Sequence, residues 1–305
     1  MPVSWESLEQ AGSTRAPAPA VREQVERTAA DLLGLGPAAA GQVWGAAIGW
    51  GCSSAAVLRV APGVPHRFGA SAPEVVVKVF RTAAWKSMTF QQEHVVGRDL
   101  PRVQRSLAAE IRPCIGGKRR GYAVLEYVAG DSLERCLEGG PYPGAVVADW
   151  VRQCLAQIVI PLWAEGHRFW DVRPCNLVLS PDGGRLTLID NDLFRLGTTE
   201  RDRTPGVWSW RDHLEGIAVG RGGARPHPGM LPRLVRQLVR AQRRHPEGRL
   251  KRGVAEAWQG SGVAGALCAL GRGPGDAARA AALVAVDGLL ERLAAAGLLC
   301  RDDAA

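Results

Sequence analysis

Short runs rich in β-branched and small apolar residues, separated by glycine, occupy residues 42–54 (QVWGAAIGWGCSS), 55–63 (AAVLRVAPG), 74–80 (EVVVKVF) and 122–130 (YAVLEYVAG). This pattern predicts an antiparallel sheet. A helix is predicted before it, over VREQVERTAADLL and ending at Gly34, and another between the third and fourth strands, over SMTFQQEHVVGRDL with Phe90, His94 and Val95 near one face. Beyond Asp131 the period changes. Val147, Trp150, Val151, Cys154, Leu155, Ile158 and Leu162 recur at three- and four-residue spacing, a buried helical stripe, with a kink or end expected at Pro161. MLPRLVRQLVRAQRR reads as a basic amphipathic helix, and GDAARAAALVAVDGLLERLAAAG as a helix capped at Asp276 and stopped at Gly297. These elements give an α+β chain: an N-terminal extension with one helix over 1–40, a small β-rich part over 41–128 and a larger helical part over 129–305.

One stretch breaks the apolar logic. GHRFWDVRPCNLVLSPDGGRLTLIDND, from Gly166 to Asp192, sets aspartates, an asparagine and arginines among buried-strand residues. LVLSPDGGRLTLID reads as two strands joined by a Pro-Asp-Gly-Gly turn. Such a hairpin returns Asp190 to the side of Asn176, where both can reach one cation. Oxygen donors in small number suit magnesium, which keeps waters and takes substrate phosphates as its other ligands. Asp171, one short loop away, is placed to accept a proton, and the whole is a phosphoryl-transfer arrangement.

On these residues the chain resembles the protein-kinase-like superfamily, which holds both Ser/Thr protein kinases and aminoglycoside-type small-molecule phosphotransferases. Asp171-Val-Arg-Pro-Cys-Asn176 resembles the catalytic loop, and Asp190-Asn191-Asp192 stands where the metal-binding Asp-Phe-Gly would be. The resemblance implies a bilobal fold, ATP and Mg2+, with Asp171 as base, Arg173 near the transferred phosphate, and Asn176, Asp190 and Asp192 on the metal. It further implies that Lys78 in VVVKVF holds the α- and β-phosphates with Glu93 as its ion-pair partner, Glu110 being the second choice. Gly49, Gly51 and Ser53 in GWGCSS resemble a degenerate phosphate loop, and adenine would dock against backbone at Glu126 to Val128. The match runs from about residue 41 to 195.

The departures narrow the function. His167-Arg168 is separated from Asp171 by two aromatics, the phosphate loop lacks its third glycine, Asn191-Asp192 replaces Phe-Gly, and no Ala-Pro-Glu segment follows. A conventional regulated protein kinase is disfavoured. The expected activity is ATP-dependent transfer of a phosphoryl group to a hydroxyl, with a small molecule as the leading acceptor, a precursor peptide as the alternative, and a non-catalytic binding scaffold as the rival. Each residue also has a bland reading: Lys78 could reach solvent from an edge strand, Asp171 and Asn176 could form a turn, and Trp208 and Trp210 could be packing rather than an acceptor pocket.

Charge and cysteines add bounds. Of 38 basic residues only four are lysines, so the net charge of +8 is an arginine bias and weak grounds for nucleic acid. Eight basic residues fall between Arg233 and Arg252, read as a solvated helix face with an acidic-substrate dock as the alternative. Seven scattered cysteines without a CxxC pair predict reduced thiols in a cytoplasmic protein. Glu6 and Glu9 precede any apolar run, which does not suit a secretory signal, and the charges inside residues 282–299 suit a packed helix better than a membrane span.

Overall fold

The computed structural model describes residues 3–6, 18–35, 43–49, 54–80, 100–114, 119–165, 172–190, 230–242, 245–273 and 275–300. The helix expected over residues 87–100 and the tryptophans at 208 and 210 lie outside the described residues. The described part is mixed helix and sheet, and the chain divides into two compact units, Met1–Val128 and Ala129–Ala305.

The first unit is a six-stranded sheet in the order β1-β2-β3-β4-β6-β5. Its strands are β1 (Val3–Ser4), β2 (Gly45–Gly49), β3 (Ser54–Val60), β4 (Val75–Phe80), β5 (Ser106–Pro113) and β6 (Arg119–Glu126). All neighbours are antiparallel except β1 and β2. Helix α1 (Pro19–Leu33) covers one face, inserting Val25, Ala29, Leu32 and Leu33 among Trp44, Leu58, Val77, Val79, Tyr122 and Val124. It stops where the sequence predicted, because Gly34 takes φ 69° and returns its N–H to the carbonyls of Ala30 and Asp31.

Residues 1–40, expected as an extension, contribute β1 and α1 to this unit's own core. Trp5 is buried, donates from Nε1 to Glu26 Oε1 at 2.6 Å, and carries the Arg22 guanidinium 5.2 Å above its ring. Glu26 is only 3% exposed, so that indole donor offsets the desolvation of a carboxylate. Gly45 is required in β2 because a Cβ there would sit 2.6 Å from the Arg59 carbonyl oxygen of the neighbouring strand. β5 was not legible: SLAAEIRP carries alanines and a glutamate where an alternating apolar face was expected.

The second unit begins with β7 (Asp131–Ser132), which pairs with the hairpin of β8 (Leu177–Leu179) and β9 (Leu186–Leu188). Helix α2 (Leu133–Glu138) follows β7, started by Ser132, whose Oγ accepts from the Arg135 amide at 3.3 Å. Gly130 allows the approach, since its φ is 133° and a Cβ would overlap the Leu179 carbonyl. The long run Gly144–Ala164, here α3, buries all seven stripe positions. It is apolar and long enough to cross a membrane, and over half of it is buried inside the unit.

Pro161 neither ends α3 nor stands alone as a kink. Over Gln153–Val159 the hydrogen bonds widen to the i→i+5 pattern, and Ile160–Ala164 resumes the α form beyond. The wide turn lies immediately before the ring that supplies no N–H. Four further helices, α4 (Met230–Arg240), α5 (Glu247–Ser261), α6 (Val263–Arg272) and α7 (Asp276–Ala295), complete the described part of the unit. In α7 Gly275, not Asp276, is the N-cap, and the helix gives way to Gly297 at φ 66°. Cys154 lies in the core, where burial pushes its thiol up to about 12, and the six described cysteines are all free thiols.

Because Glu26 is buried, Trp5→Phe should lower the unfolding free energy by about 2 kcal/mol, leaving the carboxylate without its indole donor. The double variant Trp5→Phe/Glu26→Leu should regain most of that loss. Urea unfolding followed by far-ultraviolet circular dichroism measures both, and equal midpoints for wild type and Trp5→Phe would separate the bond from stability.

Candidate functional site

The hairpin that bears the candidate residues is built from its turn outward. Ser180 N–H donates to the Arg185 carbonyl and Arg185 N–H to Ser180 Oγ, at 2.8 and 2.9 Å, closing a loop in which Gly183 takes φ 73°. Asp182 Oδ1 accepts from the Ser180 hydroxyl and from the Gly184 amide, and these two bonds hold its carboxyl below the usual range. The pairs Leu177 with Leu188, Val178 with Thr187 and Leu179 with Leu186 then set the register.

Gln153, on α3 and 3% exposed, fastens this hairpin from below. Its Oε1 accepts from the Leu186 amide at 2.8 Å, and its Nε2 donates to the Gly184 carbonyl at 3.1 Å and to Asp149 Oδ2 at 2.6 Å. Gln153 lies beside the apolar stripe and not in it, so the periodicity carried no signal for it, and its role rests on partners distant in the chain.

The hairpin closes at its base through the Ile189 N–H, which donates to the Asn176 carbonyl at 2.8 Å. This sets the backbone of Asn176 against Ile189, the residue before Asp190. Asn176 ends a tight turn, Pro174–Asn176, and its own N–H returns to the Arg173 carbonyl at 2.9 Å. Val172 and Pro174 are buried while Arg173 between them is exposed, so the segment shows a charged side chain to solvent from an anchored backbone. Asn176 is 5% exposed, and its Oδ1 accepts a weak bond from the Cys175 thiol at 3.5 Å.

Asp190 is the one described non-glycine residue in the left-handed region, at φ 57°. For an L residue that conformation costs about 1–2 kcal/mol, a strain that persists only where surrounding structure imposes it. Asp190 takes it two residues beyond the end of β9. Asn176 and Asp190 offer oxygen donors only, a set that fits a hard divalent cation sharing its other positions with water and phosphate. Asp171 and Asp192 lie outside the described residues, and among the described residues no group of three His, Cys, Asp or Glu side chains forms a metal cluster.

In the first unit Lys78 occupies the middle of β4, flanked in register by Val57 of β3 and Ala123 of β6. It is 3% exposed and central in the sheet, so the edge-strand reading is set aside. Cross-strand pairing puts it on the face with Val76, Phe80, Ala123 and Leu125, opposite the one covered by α1, and its Nζ lies 5.0 Å from the Phe80 ring centroid. Glu110, the second-choice partner, pairs in register with Tyr122 and therefore faces the other way. It is held by Arg112 at 2.6 Å and Arg67 at 3.5 Å. Glu93, Gly51 and Ser53 lie outside the described residues, and Gly49 ends β2.

The segment expected to meet adenine is partly engaged already. Glu126 donates its N–H to the Arg105 carbonyl and accepts from Gln104 Nε2, both at 2.9 Å, and Tyr127 N–H donates to the Glu74 carbonyl at 2.9 Å. A ligand edge at Glu126 would share that carbonyl with Gln104, using the second lone pair. Tyr127 is further stiffened by Arg59, whose guanidinium stacks 3.8 Å from its ring centroid and pairs with Glu74 at 2.7 Å. Gln104 and Arg59 were not singled out by the sequence reading, since both sit in stretches without a motif. No known protein-family model matches the chain, and no curated protein matches it.

Two variants at Asp190 separate backbone from side chain. Asp190→Ala keeps the left-handed cost of about 1–2 kcal/mol, whereas Asp190→Gly removes it and adds about 0.5–1 kcal/mol of unfolded-chain entropy. The glycine variant should therefore be the more stable by roughly 0.5–1 kcal/mol in chemical unfolding. An alanine variant as stable as the glycine variant would mean that position 190 does not hold this conformation in solution.

Proposed function

We propose that the protein is a bilobal, protein-kinase-like phosphotransferase that moves the γ-phosphoryl group of ATP to a hydroxyl, with a small molecule preferred as acceptor. The observation that supports this reading best is the Ile189–Asn176 backbone bond, which ties the asparagine to the residue before Asp190, itself in the left-handed region. The donor side chains come from a D-x-R-P-x-N segment and from the residue after a hairpin strand, the order that the resemblance requires. A lysine buried at the centre of a valine-rich strand supports it as well, since it stands where the resemblance puts the phosphate-binding lysine.

In this reading Asn176 and Asp190 hold magnesium, which supplies charge neutralisation on the β- and γ-phosphates when bound. Lys78 fixes the α- and β-phosphates, and Val57, Val76 and Leu125 on the same sheet face give adenine an apolar wall. Asp171 orients the acceptor hydroxyl and takes its proton. Arg173, exposed on the anchored turn, meets the transferred phosphoryl oxygens. The scattered free thiols are in keeping with a cytoplasmic enzyme.

Asp171→Asn tests the assignment. A positioned base contributes about 10²- to 10⁴-fold, so ADP release in the presence of acceptor should fall by that range while Mg-ATP binding by calorimetry stays near the wild-type value. Full turnover in Asp171→Asn would remove that residue from the role, and Mg-ATP binding without turnover in the wild type would favour a nucleotide-binding scaffold.

A further inference from the structure

Within the second unit a cavity of about 860 Å³ opens beside Pro174. That volume is in the range of sites that take a drug-sized ligand. Its walls carry opposite charges. Glu134 and Glu138 stand four residues apart on α2, on one face, and among the described residues neither carboxylate has an ion-pair or hydrogen-bond partner. The other wall presents Gln237, Arg240 and His245. Arg240 is 71% exposed, and its recorded partner, Glu247, stands 3.8 Å away, a surface pair weak enough for a ligand anion to displace.

The chain ties this cavity to the proposed chemistry. Asp171 and Pro174 are three residue steps apart, with Val172 and Arg173 between them, and three steps span at most about 10–11 Å. The cavity therefore lies next in sequence to the proposed base. A singly charged ligand would meet one like-charged wall. A ligand with separated positive and negative ends would meet a complementary charge at each.

We infer that this cavity binds the acceptor and that the acceptor is a zwitterionic alcohol, with its ammonium group at Glu134 and Glu138 and its carboxylate at Arg240. A short serine-containing peptide with free ends is the simplest such molecule. The inference rests on the phosphotransferase reading for the acceptor's role, but the binding of a zwitterion here stands without it. The basic run after Arg233 then acts locally, through Arg240, and not as a dock for a wholly acidic substrate.

The test uses the full chain and the tripeptide Ala-Ser-Ala in four forms: both ends free, N-acetylated, C-amidated, and blocked at both ends. Calorimetry should show the free form binding about tenfold more tightly than either singly blocked form, the size expected for one charge-assisted contact. Glu134→Gln/Glu138→Gln should abolish the penalty for acetylation alone, and Arg240→Gln that for amidation alone. Both sites are on the surface of the unit, so these variants should keep the wild-type Mg-ATP affinity. Equal affinity for all four forms, or penalties indifferent to the variants, would overturn the proposal. Tight, end-dependent binding without a gain of about 80 Da on the peptide, expected for added phosphate, would overturn the acceptor role. Loss of Mg-ATP binding in the wild type would strike instead at the phosphotransferase reading.

Discussion

A buried glutamine on a helix decides where the β8–β9 hairpin can stand. Gln153 satisfies an amide and a carbonyl of the β8–β9 hairpin with the two ends of one side chain, and Asp149 takes a further bond from its amino group. Unpaired, each hairpin group would cost roughly 1–3 kcal/mol. The hairpin is only three residue pairs long, too short to be stable by itself, and the helix supplies what the strands lack. Its closing bond then ties Asn176 to Ile189, the residue before Asp190. An apolar residue at 153 would leave the helical stripe intact and lose the anchor.

The same helix makes a structural concession that starts at that glutamine. Its hydrogen bonds widen over Gln153–Val159 before Pro161, and the widened turn begins at the residue that grips the hairpin. Asp190 is a second concession, a left-handed non-glycine residue at the end of that hairpin. Lys78 is a third, a charge in the middle of a sheet. Each runs against local preference, and all three fall on residues tied to the proposed phosphate and metal chemistry. Such departures from local consistency concentrate where function demands a geometry that stability alone would not select.

Much of this was legible in the sequence where periodicity or turn chemistry was strong. The stripe of α3, the stop of α1 at Gly34, the strand around Lys78 and the β8–β9 hairpin with its Pro-Asp-Gly-Gly turn all follow from spacing and from glycine's freedom at positive φ. Three kinds of feature did not show. β5 has no alternation because alanines and Glu110 fill it, and its pairing with β6 decides its state. β1 and Trp5 sit far from the sheet in sequence, so an Ala- and Pro-rich start concealed a core contribution that depends on one buried indole–carboxylate bond. Gln153 and Gln104 act by satisfying distant backbone groups, and a distant partner leaves no local pattern.

Our proposal turns on Asn176 and Asp190 serving a magnesium-bound nucleotide. Thermal unfolding with and without Mg-ATP, run beside Asn176→Ala and with EDTA in place of the metal, tests it most directly. At about 100 times the dissociation constant the nucleotide should add roughly 2.7 kcal/mol, seen as a rise of several degrees that EDTA removes and Asn176→Ala largely abolishes. No rise in the wild type at millimolar Mg-ATP, or one that persists unchanged in EDTA and in Asn176→Ala, would contradict the claim.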